Sequence, residues 1–231
     1  MKTIGKYVLI IGLLLAVSAP CLAIDINQSA GARLWYAQLN EKFSGVKDNR
    51  GWDPMYLLYY DLGAPPWIVS AMGGYGEGWD KGRDGDKATR MDGQITAGRQ
   101  FGPILIGAAF HYLHFEFKNI PNTTANFRQT YYGPELVVSG GVPLGDTGWS
   151  LNATGIWSPY MFAEAGYSNG GEKDSDNTKG LGFDLGLSYL QGNFRSSAGY
   201  RFYKLNEWSA PKAGATSEEF GGPYLELGVV W

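Results

Sequence analysis

Beyond residue 23 this sequence runs with a period of two, and that limits most strongly what the chain can fold into. Leu181, Phe183, Leu185, Leu187 and Tyr189 alternate with Gly182, Asp184, Gly186, Ser188 and Leu190. Met91, Gly93, Ile95 and Ala97 alternate with Arg90, Asp92, Gln94, Thr96 and Gly98. Trp149, Leu151, Ala153, Gly155 and Trp157 alternate with Ser150, Asn152, Thr154, Ile156 and Ser158. Successive side chains of a strand point to opposite faces, so each segment has one apolar face and one small or polar face. No stretch shows the spacing of an amphipathic helix, and nothing marks a second domain. The fold class is all-β.

The punctuation between these segments alternates as well. Turn-rich breaks fall at Gly63-Ala64-Pro65-Pro66, Gly102-Pro103, Gly145-Asp146-Thr147 and Gly192-Asn193. Between them lie longer polar stretches near 44–53, 79–89, 118–127, 165–180 and 206–218. This leaves ten strands, near 30–43, 54–62, 67–78, 90–101, 104–117, 128–144, 148–163, 181–191, 194–205 and 219–231. Short turns alternating with long connections, and an even strand count, are the layout of a barrel spanning an outer membrane. The expectation is a single closed antiparallel transmembrane β-barrel of ten strands. Discarding the irregular first hairpin would give eight.

Composition removes the competing classes. With 15% aromatic and 18% charged residues the chain is too apolar to be disordered. Its formal charge of −3 offers no basic stripe for nucleic acid. One cysteine excludes a disulfide framework or a thiolate metal site. The only long apolar run is N-terminal. Lys2 and Lys6 precede an apolar core at 7–17, and Ser18-Ala19-Pro20-Cys21-Leu22-Ala23 ends in small residues. Residues 1–23 therefore read as a cleaved export signal, leaving 24–231 as the barrel. Acylation of Cys21 is the competing reading, which Pro20 disfavours.

The last strand carries the most specific signal. Leu225, Leu227, Val229 and Trp231 share one face, while Tyr224, Glu226, Gly228 and Val230 share the other. The run Tyr224-Leu225-Glu226-Leu227-Gly228-Val229-Val230-Trp231 resembles the terminal strand of Gram-negative outer-membrane β-barrel proteins. That resemblance implies location in the outer membrane and recognition by the barrel-assembly machinery. Polarity points the same way. The bulky apolar residues share one face, as a lipid-facing surface would, and Asp92, Asp184, Arg201 and Glu226 share the opposite one. Tyr56, Trp67, Trp157, Tyr200 and Trp231 fall where aromatic girdles would sit.

By parity the lumen receives Arg33, Asp92, Glu135, Asp184, Arg201 and Glu226, together with Asp61, Arg90, Gln94, Asn152 and Arg195. Arg33, Glu226, Arg201 and Asp184 belong to neighbouring strands 1, 10, 9 and 8, with alternating sign. The expectation is a salt-bridged filling in which each charge has a partner.

The function expected from these features is a non-enzymatic scaffold, or a narrow porin-like conduit for small solutes. Its partners would be outer-membrane lipid and lipopolysaccharide, with no cofactor and no metal. The alternative is a hydrolase acting on lipid or peptide at the extracellular rim through His111 or His114. These two histidines have opposite parity and read as rim residues. Outer-membrane aspartyl-type proteases pair Asp-x-Asp with Asp-x-His; here Asp84-Gly85-Asp86 has no Asp-x-His counterpart. Neither histidine opens the His-x-Ser arrangement of outer-membrane lipid deacylases. The acidic runs around Asp80, Asp84, Asp86 and Glu172, Asp174, Asp176 match no calcium-loop spacing and read as solvated loops.

Overall fold

The computed structural model describes residues 27–43, 46–79, 87–118, 126–168, 173–210 and 214–231. The export signal and the acidic positions Asp80, Asp84, Asp86 and Glu172 lie outside them. Ten strands follow in order: β1 (Asn27–Phe43), β2 (Val46–Ala64), β3 (Trp67–Trp79), β4 (Lys87–Phe101) and β5 (Ile104–Lys118), then β6 (Phe127–Pro143), β7 (Trp149–Tyr167), β8 (Lys173–Gln191), β9 (Phe194–Ala210) and β10 (Gly214–Val230). Each pairs antiparallel with its neighbours in sequence, and β10 closes on β1 to complete a barrel. The ten-strand count holds, not eight.

The short connections are where the turn residues put them. Pro65-Pro66 joins β2 to β3, Gly102-Pro103 joins β4 to β5, and Gly192-Asn193 joins β8 to β9. Gly102 and Gly192 have φ of 59° and 58°, a left-handed conformation that glycine adopts without steric cost. At the other end the strands run further than the polarity of the sequence implies. The stretch 165–180, read as a loop, is largely strand: Asp174, Ser175 and Asp176 pair with Ala165, Glu164 and Ala163. The polar residues 46–53, 206–210 and 214–218 likewise belong to β2, β9 and β10. A ladder consumes only backbone N–H and C=O groups, so it continues through polar residues once it is in water. A 17-residue strand is about 56 Å long, and even tilted it outruns an apolar band about 25 Å tall.

The outward face is a continuous apolar band. Leu58, Ile95, Leu225 and Leu227 are between 60% and 70% exposed, as no soluble monomer would leave them around its whole girth. The inward face departs from a simple inside-out polarity. Toward the long connections the lumen is filled with apolar bulk: Trp35, Met55, Leu57, Leu113, Phe115, Tyr131, Tyr203 and Phe220 are all buried there. Inward glycines make the room. A Cβ on Gly186 or Gly199 would strike the Tyr224 hydroxyl, and one on Gly182 would meet the Tyr203 ring at 2.6 Å. The Gly-x-Asp-x-Gly face of β8 is small because tyrosines of β9 and β10 lie over it.

One seam is locally interrupted. Pro134 on β6 and Pro159 on β7 cannot donate to a ladder, and the β6–β7 pairing breaks between Tyr132 and Leu136. The Ser158 hydroxyl closes the gap by donating to the Pro134 carbonyl at 2.8 Å.

Candidate functional site

The polar residues of the lumen form two charged tiers below an aromatic one. Nearest the short turns, the Arg33 guanidinium lies over the Tyr224 ring, 4.0 Å from its centroid. It reaches two carboxylates from there, Asp184 at 2.6 Å and Glu226 at 2.7 Å. Arg195 adds a second cation, 3.2 Å from Glu226 and 3.8 Å from Asp61. Asp61 also accepts from the Ser29 hydroxyl at 2.7 Å.

The middle tier centres on His111. Its Nε2 is 2.8 Å from Asp92 and its Nδ1 is 2.8 Å from Glu135, with the ring 1% exposed. Facing a carboxylate oxygen at each nitrogen, the ring donates at both only as an imidazolium. Glu135 accepts further bonds from Gln94 at 2.5 Å and the Tyr203 hydroxyl at 2.6 Å. Asp92 also pairs with Arg90 at 3.0 Å.

Arg90 ties this tier to the one above. Its guanidinium stands 4.6 Å from the Trp35 ring centroid and 4.4 Å from that of Phe220. Phe220 stacks on Phe115 at 5.2 Å, and the Tyr131 hydroxyl donates to Glu218. The Trp35 indole N–H finds the Gly222 carbonyl at 3.2 Å.

All six sequence-predicted lumen residues face inward, but they do not form the alternating ladder expected of Arg33, Glu226, Arg201 and Asp184. Arg33 alone binds both carboxylates. Arg201 opposes Asp184 and Gly222 in register, deeper than Glu226, which opposes Ser197. Its guanidinium turns to Met72 Sδ at 3.2 Å and to the Trp35 ring at 5.2 Å. Neighbouring strands guarantee backbone proximity and not a bond: Arg201 stands opposite Asp184, yet its long side chain reaches Met72 while Asp184 takes Arg33.

His111 is a second correction. Its parity opposite to His114 holds, yet it sits at mid-lumen and not at the rim. It lies about 25 Å along β5 from the Gly102-Pro103 turn. That distance was the available signal; the apolar character of both faces of β5 hid it. His114 faces outward, its Nδ1 2.9 Å from the Thr130 hydroxyl. Tyr203 went unnoticed as a polar partner because its strand supplied more conspicuous charges.

Neither a protein-family model nor a curated protein matches this chain. Solved structures do. The outer membrane protease OmpT of Escherichia coli aligns over 93% of this chain and 99% of its own, at 11% identity and a TM-score of 0.56. The fold is that of a Gram-negative outer-membrane β-barrel. The translocator domain of autotransporter NalP from Neisseria meningitidis covers 100% of this chain and 96% of its own, at 13% identity and a TM-score of 0.46. Neisserial surface protein A covers 89% and 95%, at 13% identity and a TM-score of 0.42. At 11% identity the likeness to OmpT concerns the fold alone and says nothing of activity.

Proposed function

We propose that this chain is an integral outer-membrane barrel without catalytic activity, closed at mid-height, so that it serves as a scaffold and not as a through conduit. One observation supports closure above the others: Trp35, Arg90, Phe115 and Phe220 pack against one another across the lumen. Eight strands leave room mainly for side chains and sixteen to eighteen leave a channel, so a ten-stranded lumen is narrow enough for such a layer to obstruct it. Against a hydrolase stands His111, whose two nitrogens are both held by carboxylates and which has no free site to accept a proton. The apolar outer band would meet membrane lipid, with lipopolysaccharide at the end bearing the long connections. Residues 1–23 would direct export, and β10 would be read by the assembly machinery.

In planar bilayers the wild-type protein should give no unitary conductance, whereas Trp35→Ala combined with Phe220→Ala should give resolvable steps. Steady conductance from the wild type would overturn closure. Phospholipid or peptide turnover abolished by His111→Ala or His114→Ala would overturn the non-enzymatic half.

Orientation has its own test. Short turns belong in the periplasm, so a cysteine at Ser175 should react with an impermeant reagent on intact cells, and one at Asn193 in the Gly192 turn should stay silent. The reverse pattern would invert the barrel. Asp84, which the sequence reading also expects to be extracellular, lies outside the described residues.

A further inference from the structure

The charged tiers do not fill the lumen completely. A cavity of about 200 Å³ lies between the short-turn end and Arg201. Its mouth is beside Asp61 and Arg195, whose side chains are 32% and 31% exposed. One wall sets Leu105, Val137 and Ile156 of β5, β6 and β7 among the hydroxyl residues Thr96, Ser139 and Thr154. The opposite wall carries the arginines of β1 and β9.

Arg201 is the unusual member. It is 3% exposed, yet among the described residues no carboxylate lies within salt-bridge distance of it. The nearby acids have spent their oxygens elsewhere. Asp92 holds Arg90 and His111, Asp184 holds Arg33, and Glu226 holds Arg33 and Arg195. Of its five N–H donors Arg201 commits one to a thioether, a weak acceptor. Burying an arginine so poorly matched is costly unless an anion completes the site.

We infer that this cavity is a binding pocket, open to the periplasmic side, for a small monocarboxylate with a compact hydrocarbon body. The carboxylate takes the free fork of Arg201, and the hydrocarbon lies on Leu105, Val137 and Ile156. A cavity of about 150 Å³ accommodates benzene, so this volume suits a ring with one carboxyl group. A second negative charge on the ligand would face Asp61, Asp184 and Glu226, which disfavours dianions such as phosphate. The pocket rests on the sealed lumen proposed above, since a through channel would leave no closed end.

The test titrates benzoate, benzyl alcohol and benzylamine into the refolded full barrel in detergent micelles, read by saturation-transfer NMR. Benzoate should bind saturably, about tenfold tighter than benzyl alcohol, with benzylamine failing to compete. Arg201→Gln should weaken benzoate by about tenfold and leave benzyl alcohol unchanged. Ile156→Trp, which fills the pocket but leaves Arg201 in place, should abolish both. Heat-modifiable migration on gels checks folding of each variant. If Arg201→Gln does not fold, Ile156→Trp and the wild-type preference for benzoate over benzyl alcohol decide the matter. Equal binding of the acid and the alcohol, or no saturable binding, overturns the pocket. Absent benzoate binding in a non-conducting barrel would reject the pocket alone, whereas wild-type conductance would reject the closure.

Discussion

Removing residues 224–231 should abolish assembly, leaving a protein that shows no heat-modifiable species in outer-membrane fractions. Those residues hold both sides of the closing seam. Tyr224 through Val230 pair with Trp35 through Ser29 on β1, and Tyr224 through Val229 pair with Gly199 through Phe194 on β9. The backbone of Trp231 then exchanges two bonds with Gln28, at 2.8 and 2.9 Å. Without them β1 and β9 become sheet edges at membrane depth, where each unsatisfied backbone group costs several kcal/mol. No rearrangement of the remaining strands restores the loss, because closure needs a partner for both edges. The milder change Trp231→Asp keeps the backbone bonds and replaces a half-exposed outward aromatic with a charge at the interface. It should lower the assembled yield without eliminating it. Normal heat-modifiable migration of the truncated chain would refute the role given to this strand.

The elements most legible in the sequence were those with one clearly polar face. On β8 and β10 the alternation of Leu185 with Asp184, and of Leu225 with Glu226, shows which side meets lipid. On β5 and the upper half of β1 it does not. Phe110 and Tyr112 face outward and Leu113 and Phe115 inward, so both faces are apolar and parity loses its contrast. A barrel that is apolar outside and aromatic-filled within erases the signal used to orient it. The inward glycines carried the missing information, because a small residue on a lumenal face implies a large one arriving from across. Strand ends were blurred for another reason. Polar residues such as Asp174 and Asp176 read as loop, but the backbone ladder extends through them into water. In the lumen, residue type and parity gave membership but not pairing. Which carboxylate meets which arginine depends on depth along tilted strands, and that is set by register and by the reach of each guanidinium.

That difference in pairing makes Glu226 the most informative lumenal position. Glu226 has 5% side-chain exposure and accepts from Arg33 and Arg195, while Arg33, at 15%, is shared with Asp184. Truncating one partner of a buried pair costs about 3–5 kcal/mol when the other charge is left alone. Here Asp184 still holds Arg33 and Asp61 still faces Arg195, so Glu226→Ala should destabilise the barrel by a smaller amount, about 2–3 kcal/mol. Denaturant unfolding in detergent or lipid measures it. Arg33 is then left with Asp184 alone, and the double variant Glu226→Ala/Arg33→Ala should cost less than the sum of the two single changes. The coupling should fall at about 1–3 kcal/mol, in the range of residues sharing one network. The same cycle with Arg201→Ala should give a coupling below about 0.5 kcal/mol, since Arg201 makes no bond to Glu226. Equal coupling to both arginines would mean that the tier is an averaged charge cloud and not a set of directed pairs. An effect of Glu226→Ala near the order of 1 kcal/mol typical of exposed pairs would mean that water reaches the tier freely. The mouth at Asp61 and Arg195 is where that water would enter. The two cycles thus separate a bonded lower tier from a wetted one, independently of whether the aromatic tier above it is sealed.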